Sequence, residues 1–488
     1  MIRTSPALLT DLYQLTMAYG YWRMGVRDDD AIFHLSFRSQ PFNGGYTVAC
    51  GLQDAMDYLE QFRFDATDLE YLASLEGSDG QPIFARAFLE ELHHFEFGCD
   101  VDAVPEGTVV FPHEPLVQIT GPLMQAQLFE TALLNIINFQ TLIATKAARV
   151  CVAAKGAPVL EFGLRRAQGP DGALAASRAA YIGGCAATSN VLAGKVFQIP
   201  VRGTHAHSWV MSFDDELTSF RAFAESMPGN CVLLVDTYNT LQGVHHAVEI
   251  GRWLRTQGKD LTAVRLDSGD LAYLSLAARK ILDDGGFQST QVLASNDLDE
   301  HIISSLHEQG AKIEIWAVGT KLVTAYDQPA LGGVYKLSAL RKTGGRWQHK
   351  IKLSEQAAKI STPGKLQVRR FTSQGRYSAD MIFDQLSGSE PSRTMVDPAD
   401  VTIRRRIPED ATYRDLLVPI FRRGRRVYEP PTIQELQATT RRELDCLYAG
   451  VKRLLNPHIY PVGLDVKLHE LKTRLASEIR ASEVIELH

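Results

Sequence analysis

The chain has 488 residues, is 45% hydrophobic and 22% charged, and carries a formal net charge of −6. This is the composition of an ordinary globular protein, long enough for roughly two to four domains. The charge gives no support for bulk nucleic-acid binding, and no run approaches the ~18 consecutive apolar residues that a membrane span requires.

The N-terminus, 1-MIRTSPALLTDLYQLTM-17, has no continuous apolar stretch of the kind a signal peptide carries, so a cytoplasmic protein is expected. The segment 31-AIFHLSFRS-39 alternates apolar and polar residues like a half-buried strand, and Gly-rich 42-FNGGYTVACGL-52 reads as a turn and a second strand. Positions 101–121 read as short strands punctuated by Pro105, Pro112, Pro115 and, at the end, Pro122. The stretch from 124 to 156 has apolar residues at helical spacing and predicts one or two long helices ending at Lys155-Gly156.

A regular pattern follows. Short apolar strands are predicted at 158–166, 196–207, 231–238, 261–270, 291–297 and 313–320, with helices such as 239–258 and 271–286 between them. Strands alternating with helices at about 30 residues per unit indicate a parallel sheet, and six in series suggest an irregular (β/α) barrel. An open doubly wound sheet is the competing arrangement, but no GxGxxG follows the first strand. After 332-GGVYKLSAL-340 the period is lost. Short strands such as 363–371 and basic runs, 404-RRR-406 and 422-RRGRR-426, lead to a predicted helix over 431–455. Basic runs this short read as solvated faces. The expected organisation is therefore α/β: an α+β N-terminal domain over 1–125, a (β/α) barrel-like catalytic domain over 126–335, and a C-terminal region over 336–488 that completes the N-terminal domain or forms a helical tail. The six cysteines, Cys50, Cys99, Cys151, Cys185, Cys231 and Cys446, are scattered without a CxxC pair, which suits free thiols better than disulfides or a zinc knuckle.

In a parallel barrel the C-terminal strand ends share one face, and active sites form there. The polar residues at the predicted ends are Arg165 and Arg166; Thr204, His205 and His207; Asp236, Thr237 and Tyr238; Arg265, Asp267, Ser268 and Asp270; Ser295, Asn296 and Asp297; and Gly319, Thr320 and Lys321. Each has a plainer reading: Asp297, for example, precedes 298-LDEH-301 and would serve equally as a helix N-cap. As a set, arginines, turn N–H groups and several carboxylates suit a ligand with several phosphates plus Mg²⁺. His205 and His207 stand two apart, which in a strand puts both on one face. Three readings remain open for them: zinc ligands of a barrel hydrolase, packed strand histidines, or a phosphate-accepting nucleophile oriented by a nearby carboxylate.

The segments 9-LTDLYQLTMAYGYW-22, 161-EFGLRRAQGPDGALAASRAAYIGG-184, 202-RGTHAHSWVMSF-213, 234-LVDTYNTLQG-243, 264-VRLDSGDL-271, 294-ASNDLDE-300, 316-WAVGTKLVTA-325 and 351-IKLSEQAAKISTPGKLQVRR-370 together resemble the nicotinate phosphoribosyltransferase family, a type II phosphoribosyltransferase family, from about residue 5 to 445. The resemblance implies formation of nicotinate mononucleotide and pyrophosphate from nicotinate and 5-phosphoribosyl 1-pyrophosphate, in the Preiss-Handler route to NAD. It also implies Mg²⁺, and ATP hydrolysis coupled through a phosphohistidine. The histidine before the serine of the Gly-Thr-x-Ala-His-Ser motif is His207; His205 falls at the variable position and receives no role.

Other roles follow from the same resemblance. Phe162, and Tyr13 from a second subunit, would sandwich the pyridine ring, making the enzyme a homodimer with shared sites. Arg265 would hold the nicotinate carboxylate, and Arg165 would lie near phosphate or the ring. Asp236 would orient His207. Asp267 would hold ribose hydroxyls or Mg²⁺. Asn296, Gly319 and Thr320 would take the 5-phosphate end, with Thr204, Ser268 and Asp297 completing the substrate site. Nicotinamide enzymes resemble this pattern but place an acid where this chain has 183-GGCAATS-189, which favours the carboxylate substrate. A nicotinamide phosphoribosyltransferase, a metal-dependent barrel hydrolase and an inactive binding relative are the alternatives.

Overall fold

In the computed structural model, residues 5–354 and 360–482 are described, so 355–359 of the 351–370 segment lie outside them. The chain divides into two compact units: 1–142 with 330–432 and 438–488, and 143–329 with 433–437.

The second unit holds the parallel sheet. Its strands are β1 (Val159–Glu161), β2 (Ala187–Thr188), β3 (Val232–Leu234), β4 (Ala263–Leu266), β5 (Gln291–Ala294) and β6 (Ile315–Val318). They run in the order β2-β1-β6-β5-β4-β3, every paired neighbour parallel, as a half-barrel. Leu160, Ala187, Leu293 and Ala317 form a buried cluster, with Phe162 and Ile315 packed against it. Side chains thus fill the sheet's interior, as in closed barrels. The helices between strands start at side-chain caps: Asn239 accepts from Gln242 N–H before Thr240–Thr256, and Asp270 accepts from Tyr273 N–H before Leu271–Asp284. Asp270 is therefore a structural cap.

Two local expectations are corrected. The predicted strand over 196–207 does not form. Asn190 caps a helix at Val191–Phe197 through Ala193 N–H, Gln198 takes a left-handed φ of 58° and ends it, and His207 opens another short helix, His207–Met211. Between them, only Val201 makes a β-bridge, to Thr188. The other correction concerns Asp297: the cap of helix Glu300–Glu308 is Asp299, whose side chain accepts from the N–H groups of His301 and Ile302.

The other unit is built on two antiparallel-rich sheets. The first has seven strands: Gln348–His349, Gly333–Arg341, Asp30–Phe37, Val117–Pro122, Asp100–Ala103, Val418–Arg422 and Arg425–Arg426, in that order. Asp30–Phe37 lies inside this sheet and is buried on both faces rather than half-buried; even His34 is enclosed, its Nε2 2.8 Å from Gln118 Oε1. The second has six strands, with exposed Arg404–Arg406 at one edge. The predicted 431–455 helix stops at Cys446, and a strand, Val462–Asp465, and a helix, Val466–Ser482, follow in a region left unassigned from sequence. Among the described residues, no helix is long and apolar enough to cross a membrane.

Candidate active site

The predicted strands end earlier than their apolar runs suggest. β1 stops at Glu161, and Leu164–Arg166 is a short 3-10 turn. Polar side chains beyond the strand ends therefore sit in turns around one cavity of about 520 Å³ within the second unit. Phe162, Arg165, Thr204, His207, Arg265, Asp267, Asn296, Asp297, Gly319 and Thr320 all line it, as do Arg166, Ser189, His205 and Ser295. Asp236 and Ser268 stand just behind this lining, bonded to each other through Asp236 Oδ2 and Ser268 Oγ at 2.6 Å. Tyr13 is on helix Leu12–Arg23 of the first unit, half exposed.

Phe162 is set by a buried carboxylate. Glu161, 1% exposed, accepts from Gly163 N–H, Ser177 Oγ (2.8 Å) and Thr188 Oγ1 (2.6 Å). Three donors satisfy an acceptor-only group that would otherwise be costly to bury. The next residue is thereby held at the cavity edge, where Phe162 N–H also donates to Val318 O at 2.8 Å. Gly163 is required: a Cβ there would lie 2.3 Å from Val323 Cγ1 and 3.0 Å from Gly319 O. The signal for Glu161 in the sequence is a lone acid inside the apolar run 158-PVLEFG-163.

Arg265 links the ring to the carboxylates. Its Cζ is 5.8 Å from the Phe162 ring centroid, its Nε donates to Ser295 Oγ at 2.8 Å, and its Nη2 donates to Asp267 Oδ1 at 2.8 Å. Burial works against charge on Asp267, but the Arg265 guanidinium and the Ser295 hydroxyl outweigh it and hold the carboxyl below its ordinary range. Asp267 Oδ2 lies 3.7 Å from His207 Nε2. The other His207 nitrogen, Nδ1, is 3.1 Å from Thr237 Oγ1. Thr237 is a strand-end residue for which the family resemblance implies no role. Asp236, expected to orient His207, instead accepts from Asp267 N–H (3.0 Å) and Ser268 Oγ, so it supports the Asp267 turn.

His205 and His207 do not share a face. His205 is 7% exposed and packs edge-on to Phe223 at 4.7 Å between ring centroids, whereas the His207 side chain is 41% exposed. Without a strand, the i, i+2 rule no longer applies, and the paired-ligand geometry is lost. Among the described residues, no group of three or more His, Cys, Asp or Glu side chains is arranged to hold a metal ion.

Asn296 and Asp297, which follow Ser295 and also line the cavity, are both exposed and both in left-handed backbone, with φ of 93° and 37°. Consecutive non-glycine residues in that region are strained, a feature that collects at binding sites. Asp299 and Lys321 behind them pair at 2.6 Å.

Two family models match the chain: the nicotinate phosphoribosyltransferase N-terminal domain over 8–138 and C-terminal domain over 365–472. The nicotinate phosphoribosyltransferase of Bacillus subtilis (strain 168) is 43% identical, covering 97% of this chain and 98% of that one. The crystal structure of human nicotinic acid phosphoribosyltransferase superposes with a TM-score of 0.83 at 32% identity, covering 96% of this chain and 100% of that one. A nicotinate-nucleotide pyrophosphorylase from Pyrococcus furiosus shares the fold, at a TM-score of 0.68 and 23% identity over 91% of this chain and 98% of that one.

Proposed function

The chain belongs to the nicotinate phosphoribosyltransferase family and catalyses phosphoribosyl transfer to nicotinate in NAD biosynthesis, and from that premise we propose how its residues divide the work. The observation that carries the proposal is an unbroken series of contacts, Phe162–Arg265–Asp267–His207, running from an aromatic face to an accessible imidazole.

Nicotinate lies on Phe162 with its carboxylate on Arg265, and Tyr13 of a second copy of the chain covers the other ring face. The pyridine nitrogen is unprotonated at neutral pH and attacks the ribosyl C1 as the C1–O bond to pyrophosphate breaks. No base is needed, so the protein contributes position and charge stabilisation. Asn296, Gly319 and Thr320 hold the 5-phosphate end, Thr204, Ser268 and Asp297 help to shape the substrate site, and Arg165 lies near phosphate. Asp267 and Asp297 both line the cavity, and Asp267 Oδ2 has only the 3.7 Å approach of His207, so this donor set fits a Mg²⁺ that takes one or two carboxylates and substrate phosphate oxygens. When bound, that ion would neutralise the leaving pyrophosphate.

ATP coupling runs through His207. With Nδ1 engaged by Thr237, Nε2 takes the γ-phosphoryl group: a P–N bond forms, the bond to ADP breaks, and later hydrolysis to inorganic phosphate regenerates the imidazole. The substrates are thus nicotinate, 5-phosphoribosyl 1-pyrophosphate and ATP.

The test supplies nicotinate or nicotinamide with 5-phosphoribosyl 1-pyrophosphate and Mg²⁺, with and without ATP, to wild type and His207→Ala. The expected result is nicotinate turnover stimulated by ATP in wild type, and slow, ATP-indifferent turnover in the variant. Complete loss of transfer in the variant at saturating substrates would contradict a role confined to coupling.

A further inference from the structure

The half-barrel has two edge strands, β2 and β3, and the segment from 200 to 205 runs between them. On the β2 side it pairs by main chain: Thr188 N–H donates to Pro200 O and Arg202 N–H donates to Thr188 O, both at 3.0 Å. On the β3 side it does not. On either side of β3, residues 231 and 235 point their main-chain groups toward the β4 side, since Cys231 O accepts from Thr262 N–H and Val235 N–H donates to Arg265 O. The alternate residues, Val232 and Leu234, therefore face outward and need other partners. Two consecutive side chains supply them. Thr204 Oγ1 donates to Val232 O at 2.7 Å, and Leu234 N–H donates to His205 Nε2 at 3.1 Å. Side chains here replace the main-chain ladder that a closing strand would provide.

This bond dictates the tautomer. Leu234 N–H is only a donor, so His205 Nε2 carries no proton and the ring proton sits on Nδ1. Nδ1 is 3.3 Å from Ala206 O, and Ala206 is the residue that leads into His207. The ring thus spans from β3 to the start of the short helix that carries His207. A second tether runs from the same part of the chain, because His207 Nδ1 contacts Thr237 Oγ1 just beyond the end of β3. Residues 205 and 207 are fixed to 234 and 237, two attachment points that define where the His207 ring stands relative to Asp267.

We propose that His205 is a positioning residue for the ATP half-reaction: as a neutral acceptor it closes the gap at the edge of β3 and holds His207 in register with Thr237 and Asp267. The inference rests on the reading of His207 as phosphate acceptor. It gives a task to the histidine at the variable position of the motif, and it requires an acceptor there rather than an imidazole as such. Glutamine, whose Oε1 can accept from Leu234 N–H, should substitute; leucine should not.

The test measures γ-phosphate incorporation from ATP in wild type, His207→Ala, His205→Leu and His205→Gln, each normalised to ATP-independent transfer by the same preparation. Acid-labile, base-stable phosphate that is absent from His207→Ala reports labelling of His207. The expected result is a labelling rate lowered ~10- to 100-fold in His205→Leu, in line with the cost of a misplaced reacting group, and largely restored in His205→Gln. Labelling of His205→Leu at the wild-type rate would overturn the proposal, as would a His205→Gln variant no better than leucine. Absence of labelled phosphate from wild type would instead overturn the phosphohistidine reading itself. A readout on wild type alone covers poor folding of the variants: ¹⁵N spectra of the histidine rings at neutral pH should show His205 as the Nδ1-protonated neutral form. The Nε2-protonated form would refute the bond on which the proposal stands.

Discussion

Arg265 donates to both Ser295 and Asp267 and also reaches toward the Phe162 ring, so three neighbours fix one guanidinium before substrate arrives. A bidentate partner for a carboxylate is worth most when it is already held in place. Arg265→Ala is expected to raise the nicotinate KM by about 10- to 100-fold, from a loss of ~1.5–3 kcal/mol for a charge-assisted bond. Initial-rate kinetics over a range of nicotinate concentrations check this, and an unchanged KM would remove Arg265 from the carboxylate site. Of this residue's environment, the position at a strand end was legible in the sequence. The Ser295 bond was not, because it joins residues 30 apart in the chain.

At the scale of elements, helix Glu300–Glu308 follows closely on Asn296 and Asp297, which line the cavity. Asp299 caps it and also holds Lys321, while Glu300 accepts from Arg149 Nε at 2.7 Å and lies 2.7 Å from Lys146 Nζ, all in the interior of the second unit. Burial pushes the Asp299 carboxyl up, but Lys321 and the capped N–H groups outweigh it and keep it below its usual range. Asp299→Ala should cost about 1–2 kcal/mol through the lost cap, with a further loss from the unpaired lysine. Asp299→Asn retains an acceptor for the cap and should cost less. Urea unfolding midpoints of the two variants test the order, and equal losses would show that the cap contributes little. The sequence 296-NDLDEH-301 offers two aspartates as caps. The choice between them depends on Asp297 being drawn into left-handed backbone at the rim.

For the whole molecule, two expectations follow. Tyr13 of one copy is proposed to complete the site of another, so co-expressed Tyr13→Ala and Arg265→Ala chains should regain about one quarter of wild-type activity by forming hybrid dimers with one intact site. Activity no higher than the parental variants together would rule out shared sites. The second concerns acid. Burial lowers the pKa of both His34 and His205 from 6.5 to about 4. The unfolded chain takes up protons on these rings as the pH falls through about 6.5, whereas the folded chain does so only near 4. Stability therefore declines across that window, and neither ring changes it further above 6.5 or well below 4. Urea midpoints measured between pH 7.5 and 4.5 should show the decline, and His205→Gln should flatten it; an unchanged slope in the variant would deny His205 a share.

The alternation of strand and helix and the motif residues around the cavity were determined by the sequence, because they rest on periodicity and on short linear patterns. Family membership was likewise carried by linear motifs. What only the tertiary structure decided is which neighbour each polar group meets. His207 meets Thr237 and His205 meets Leu234 across 30 and 29 residues. Asp236 supports Asp267, 31 residues on, rather than His207, and Glu161 gathers donors from as far away as Thr188. The predicted strand over 196–207 failed for the same reason: its two ends belong to the helices Val191–Phe197 and His207–Met211, and the chain between them meets β2 through a single bridge at Val201 and β3 through the side chains of Thr204 and His205. Local patterns set the elements, but a buried donor takes whichever acceptor packing brings within reach.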